Sequence, residues 1–118
     1  MGVFTVTIQA GDPEGRRFVS VEALVDTGAS YTTLPAQLLR DLGVQPIRRQ
    51  RFIFANGQET TKELGQTRVR IDGQEFLTFV VFADENMPSL LGAVTLEEAG
   101  LGVDPVGRKL IEVPGYLM

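Results

Sequence analysis

The run Ala23-Leu24-Val25-Asp26-Thr27-Gly28-Ala29-Ser30 limits the folds open to this chain more than any other stretch. Three apolar residues of strand character lead into an acid and then into a tight turn. A carboxylate buried without partners is costly, so a core strand ordinarily ends in an apolar or plainly solvated residue. Asp-Thr-Gly after a hydrophobic run therefore reads as a site, and the rest of the chain decides which one. Asp-Thr-Gly alone is compatible with an ordinary β-turn whose aspartate hydrogen-bonds its own backbone.

The surrounding sequence is mostly β. Val3 to Ala10 is rich in Val, Ile, Phe and Thr, Gly11 to Gly15 is dense turn chemistry, and Arg16 to Val25 forms a second strand. Pro35 is placed for the first turn of a short helix, with Leu38, Leu39 and Leu42 on one face and Gly43 to end it. Ile47 to Ala55 resumes strand character. Asn56-Gly57 is the strongest short hairpin signal in the chain, returning through Glu59 to Glu63. Gln66 to Ile71 is a further strand, and Asp72-Gly73 makes a second two-residue hairpin into Gln74 to Phe82. A polar loop over Asp84 to Ser89 leads to the abrupt apolar stop Leu90-Leu91-Gly92. Val94 to Ala99 reads as a brief helix closed by Gly100, and Arg108 to Val113 as a final strand. Many short strands at close spacing imply a barrel or a sandwich. At 118 residues a single domain over 1–118 is expected.

Missing residue types narrow the chemistry. The chain has no cysteine and no histidine, which excludes disulfides, thiol nucleophiles, Cys- or His-ligated metals and every triad built on histidine. Acid–base chemistry would fall to carboxylates, Lys, Tyr or water. A formal charge of −4 offers no basic footprint for nucleic acid, and the short run Arg48-Arg49-Gln50-Arg51 reads as a solvated edge. The N-terminus alternates and lacks the apolar region of a signal peptide, and no window approaches the roughly 20 apolar residues of a membrane span. The expectation is a cytoplasmic protein without membrane or nucleic-acid partners.

Taken in order, Asp26-Thr27-Gly28, the Asn56-Gly57 hairpin, Leu90-Leu91-Gly92 and the helix after it resemble the retropepsin-like aspartic proteases, over about Val21 to Val113. The resemblance implies a mainly β protein, a closed barrel with one or two short helices. It implies a homodimer that hydrolyses polypeptide with no metal and no cofactor, each protomer supplying Asp26 as the acid–base residue. Thr27 would brace the two loops across the two-fold axis, and Gly28 would permit close backbone approach with its carbonyl toward substrate. Ala29 and Ser30 would line the substrate cleft, and Ser30 would hydrogen-bond locally or to the outer carboxylate oxygen. Ala55, Asn56, Gly57 and Gln58 would form the tip of a flap. Leu90 is a candidate pocket wall with Leu24, Ile53 and Phe54, although ordinary core is the favoured reading for these four. The terminal strands, Val3 to Ile8 and Leu110 to Met118, would pair across the dimer.

Two departures stand out. Ser30 and Ala93 occupy positions where retroviral enzymes often carry an acid and an arginine, which points to the non-viral, bacterial branch of the family. Two other readings stay open at this stage. One is a protease-like fold serving as a peptide-binding or dimerisation module with little turnover. The other is an unrelated small barrel in which Asp26 is only a turn residue.

Overall fold

The computed structural model describes residues 4–118. Strand β1 (Thr5–Gly11) alternates, with Ile8 and Ala10 inward and Thr5 and Thr7 outward. The chain turns back into β2 (Phe18–Val25), antiparallel to β1 with Thr5 opposite Leu24. Asp12 tightens that turn, its Oδ1 accepting the backbone N–H groups of Arg17 and Arg16, each at 2.7 Å. Those donors, Arg17 foremost, hold the Asp12 carboxyl below its ordinary value.

Next come β3 (Thr32–Pro35), helix α1 (Ala36–Asp41), β4 (Pro46–Ile53), β5 (Glu59–Ile71) and β6 (Gln74–Ala83). The two-residue strand β7 (Leu90–Leu91), helix α2 (Ala93–Ala99), β8 (Leu101–Asp104) and β9 (Lys109–Glu112) complete the order. Seven strands form one sheet in the order β1-β2-β7-β3-β6-β5-β4, and β1 pairs a second time, with β5, through Gln9–Arg70 and Ala10–Val69. That second pairing joins six strands into a ring, the closed barrel that the resemblance implied, and leaves β4 attached to β5 outside it. Closure satisfies edges that an open sheet would expose.

Ile8, Leu34, Leu39, Val69, Val80 and Leu91 form the core, each at most 1% exposed. Burying each contributes about 1.5–3 kcal/mol. In and after α1, Leu39 and Leu42 are buried and Leu38 packs half-buried against the core. Gly43, at φ 78°, ends the helix in the left-handed conformation.

Several expectations need correction. Val3 lies outside the described residues. Pro35 caps α1 and does not sit in its first turn. Strands β3 and β8 were not anticipated, and β5 is one long strand where two were read. The last strand is shorter than Arg108 to Val113 and pairs with β8 in the same chain, so only Leu110–Glu112 of the segment Leu110–Met118 is strand.

The two hairpins of β5 also differ. Asp72 and Gly73 both have positive φ, 51° and 79°, and Ile71 pairs directly with Gln74. This is the two-residue hairpin expected from the sequence, and its turn is of type I′. At the other end only Gly57 has positive φ, 87°, and the last pair is Ile53 with Glu59. Gly57 N–H donates to the Phe54 carbonyl and Phe54 N–H to the Gln58 carbonyl, both at 2.8 Å. Asn56-Gly57 thus belongs to a three-residue loop, Ala55 to Gly57, with its glycine at the left-handed position.

Candidate active site

The barrel brings the ends of β2 and β3 side by side with β7 between them. Leu24 and Val25 pair in parallel with Leu90 and Leu91, while Thr33 pairs antiparallel with Leu90. The turn from Asp26 to Tyr31 leaves β2 and enters β3 over the end of that wedge. Val25 and Leu91 are buried, Asp26 emerges half-buried, and Thr27 and Gly28 stand exposed. The strand end is thus buried, and its carboxylate sits at the boundary with solvent.

Backbone hydrogen bonds clamp the turn. Asp26 N–H donates to the Leu91 carbonyl at 3.0 Å and Ala29 N–H to the Asp26 carbonyl at 3.2 Å. Ala93 and Val94 N–H groups donate to the carbonyls of Ala29 and Ser30 at 2.8 and 2.9 Å. Ser30 and Ala93 lack the charged side chains often found at these positions in retroviral enzymes, and here the two segments are joined by main chain. The Ser30 residue itself is exposed. Asp26 Oδ1 accepts the Gly28 N–H at 2.9 Å, the bond that any turn aspartate makes two residues on. Location, more than this local bond, sets Asp26 apart.

Gly92 is obligatory. A Cβ there would lie 2.4 Å from the Tyr31 carbonyl carbon, closer than nonbonded atoms approach. Its N–H donates to Thr32 Oγ1 at 3.1 Å.

Beside the turn lies a groove of about 440 Å³ lined by Gly28, Ala29 and Ser30 of the turn, by Phe52, Ile53 and Phe54, and by Leu90. The structure therefore unites Gly28, Ala29, Ser30 and Leu90 in one cleft, with Asp26 and Thr27 at the adjoining turn. Ala55, Asn56, Gly57 and Gln58 are all exposed at the tip of the β4–β5 hairpin, beyond the groove wall. The ordinary-core reading fails for Ile53 and Phe54, which are 69% and 43% exposed, while Leu24 and Leu90 are half-buried.

Sequence reading overlooked several wall residues. Tyr31 meets Phe52 edge-on at 6.2 Å and Phe79 at 5.7 Å, so the wall is partly aromatic. Gln50 and Phe52 are the half-buried positions of an otherwise exposed β4, an alternation that was available as a signal. Lys62 also lines the groove, its side chain 15% exposed and paired with Asp84 at 2.5 Å. Lys62 carries no local motif. Among the described residues no cluster of three or more acidic, His or Cys side chains is arranged to hold a metal ion. In chemical terms, the site offers one carboxylate, a backbone donor to it and a partly apolar groove alongside.

Comparison with known proteins places this arrangement. In fold the chain is similar to the protease of simian foamy virus (mac), known from a solution structure. The likeness has a TM-score of 0.58 and 18% sequence identity and covers 81% of this chain and 94% of the viral one. Residues 17–98 match the family described as "gag-polyprotein putative aspartyl protease". The chain belongs to that family, the retropepsin-like aspartyl proteases. The matched span runs from the start of β2 through nearly all of α2 and contains both Asp26-Thr27-Gly28 and Leu90-Leu91-Gly92. The reading of an unrelated barrel is set aside by this match. No curated protein sequence matches the chain.

Proposed function

We propose that this protein is an aspartic endopeptidase that works as a C2 homodimer, with Asp26 as the acid–base residue in each protomer. One observation carries the reading. The Asp26 turn is clamped from below by Leu91, Ala93 and Val94, while Thr27 and Gly28 remain open to solvent beside a groove. A rigid turn with an uncovered tip suits a two-fold contact, because a residue near the axis meets its own copy.

Asp26 and Asp26 of the partner subunit would then lie close enough that they cannot both ionise and hold one proton between them, as in aspartic proteases generally. The ionised carboxylate takes a proton from water as the oxygen attacks the scissile carbonyl carbon, and the protonated one donates to the carbonyl oxygen. Proton return to the amide nitrogen completes C–N cleavage. Thr27 braces the two turns and the Gly28 carbonyl orients substrate. The peptide lies extended over Ala29, Ser30 and Leu90, with Ala55 to Gln58 closing over it to exclude water. In this reading residues 1–118 are one domain of a cytoplasmic protease of the non-viral branch.

The test is Asp26→Asn in the full chain, assayed on a peptide library from acidic to neutral pH with a statine-type inhibitor as control. Cleavage is expected to fall at least about 100-fold, with the dimer retained in sedimentation. Full activity in the variant would overturn the assignment. Inhibitor binding without cleavage by the parent protein would instead favour a peptide-binding module.

A further inference from the structure

Behind the Asp26 turn, three threonines from three separate elements meet in the interior. Thr32 of β3, Thr78 of β6 and Thr95 of α2 are each 0% exposed. Thr32 Oγ1 lies 2.6 Å from Thr95 Oγ1, which lies 2.8 Å from Thr78 Oγ1. Thr78 Oγ1 in turn donates to Glu98 Oε1 at 2.6 Å, where α2 reaches solvent. At the other end Thr32 Oγ1 accepts the Gly92 N–H.

The ends fix the direction of this chain. A backbone N–H only donates, and a carboxylate only accepts, whereas each hydroxyl holds one proton and accepts freely. With Glu98 accepting from Thr78, the Thr78 oxygen is free to accept from Thr95, and the Thr95 oxygen from Thr32. Every hydroxyl proton then has an acceptor and Gly92 keeps its own. The opposite order would leave the Thr32 proton buried with no acceptor in the chain, at a desolvation cost of about 1–3 kcal/mol. Bonds aligned head to tail in a low-dielectric interior also strengthen one another.

The upstream end of this chain lies in the clamp itself. Gly92 sits between Leu91, whose carbonyl holds Asp26 N–H, and Ala93, whose N–H holds the Ala29 carbonyl. A Cβ added to it would strike the Tyr31–Thr32 backbone. We propose that Gly92, Thr32, Thr95, Thr78 and Glu98 form a one-way hydrogen-bond relay that sets the position of the Asp26 turn from the outer surface of α2. Glu98 and the three threonines are then positioning residues that act through Gly92. The consequence for catalysis rests on the function proposed above; the relay itself does not.

The experiment measures amide hydrogen exchange by NMR on the full chain and on three variants. Thr95→Val cuts the relay at nearly constant volume. Glu98→Lys replaces the terminal acceptor with a group that only donates, and Glu98→Gln keeps an acceptor oxygen. In Thr95→Val and Glu98→Lys, exchange at Asp26, Gly92, Ala93 and Val94 is expected to accelerate about tenfold relative to Val69 and Val80 in the barrel. Glu98→Gln is expected to restore the parent pattern. Equal changes in turn and barrel amides for Glu98→Lys would reduce the network to general stability and overturn the proposal. So would a Glu98→Gln variant as perturbed as Glu98→Lys. If Thr95→Val does not fold, the two surface variants decide alone. No turnover is needed, so the relay can fail while Asp26→Asn still abolishes cleavage, or stand if it does not. With a cleavable peptide in hand, Glu98→Lys should lower kcat and leave KM unchanged.

Discussion

Strand β5 ends in a hairpin on each side, and the two are built from nearly the same dipeptide, yet they behave as different objects. Toward β6, Asp72-Gly73 closes a hairpin whose inner face, Val69, Ile71 and Val80, is core. Toward β4, Asn56-Gly57 lies in a hairpin whose apolar residues Ile53 and Phe54 remain open. A one-residue slip in the first would expel its buried set from the core, so register and the tight turn are enforced. Nothing comparable pins the second, and the loop relaxes to three residues. Burial, more than the dipeptide, decides which turn forms. A two-stranded ribbon without a covered face is marginal alone. The β4–β5 hairpin therefore has apolar surface to give to whatever comes over it.

The largest expected difference comes from one substitution made twice. Ile71→Ala removes a side chain that is 4% exposed and should cost about 2–4 kcal/mol, read as a lower midpoint in urea. Ile53→Ala, at a residue 69% exposed, should stay within about 0.5 kcal/mol. Equal losses would break the contrast. On the proposed function, Ile53→Ala and Phe54→Ala should instead weaken cleavage, mainly through KM, at unchanged midpoint.

Glycine substitutions give a smaller effect. Gly57 and Gly73 both hold positive φ with open space where a Cβ would go, so alanine costs each about 1–2 kcal/mol of backbone strain. Gly73→Ala should appear as global destabilisation, because the barrel register depends on that turn. Gly57→Ala should appear mainly as faster amide exchange at Phe54 and Gln58. A global loss of similar size from both variants would show that the β4–β5 hairpin and the barrel unfold as one unit.

The turn between β1 and β2 supplies the smallest effect. Because the folded-state carboxyl of Asp12 is held low, its contribution is present above the ordinary carboxylate value and fades as pH falls through the lowered one. Carbon-detected titration should place Asp12 below the ordinary aspartate value, and Asp12→Ala should flatten that part of the stability profile. An unshifted titration would remove the N–H groups of Arg17 and Arg16 as the cause.

What was legible in the sequence follows the same division. Local chemistry reads well: the Asp72-Gly73 turn, the Leu39 and Leu42 face, Gly43 and Gly100 as helix ends, and the order of motifs around Asp26. Strand β3 was invisible because it is four residues long and its partners, β6 and β7, are distant in sequence. Exposure of Ile53 and Phe54 was also invisible, since an apolar residue does not announce whether the fold covers it. Thr78 and Thr95 read as ordinary strand and helix residues and Thr32 carried no signal, so only the assembled barrel reveals that their hydroxyls meet. The Asp26-Thr27-Gly28 turn was legible because an acid after an apolar run conflicts with simple core logic.

The wedge β7 also bears on how the molecule comes into being. Residues 90–91 come to lie between two strands, β2 and β3, that are near neighbours in the chain and emerge well before them during synthesis. β2 and β3 make no ladder with each other and are joined through Leu90 and Leu91, and contacts between such distant segments form late. A nascent chain would therefore carry Asp26-Thr27-Gly28 through about 60 further residues of synthesis, Gly28 to Leu91, without the backbone that holds it. In a growing polypeptide this turn stays unassembled until Leu91, Ala93 and Val94 have been made.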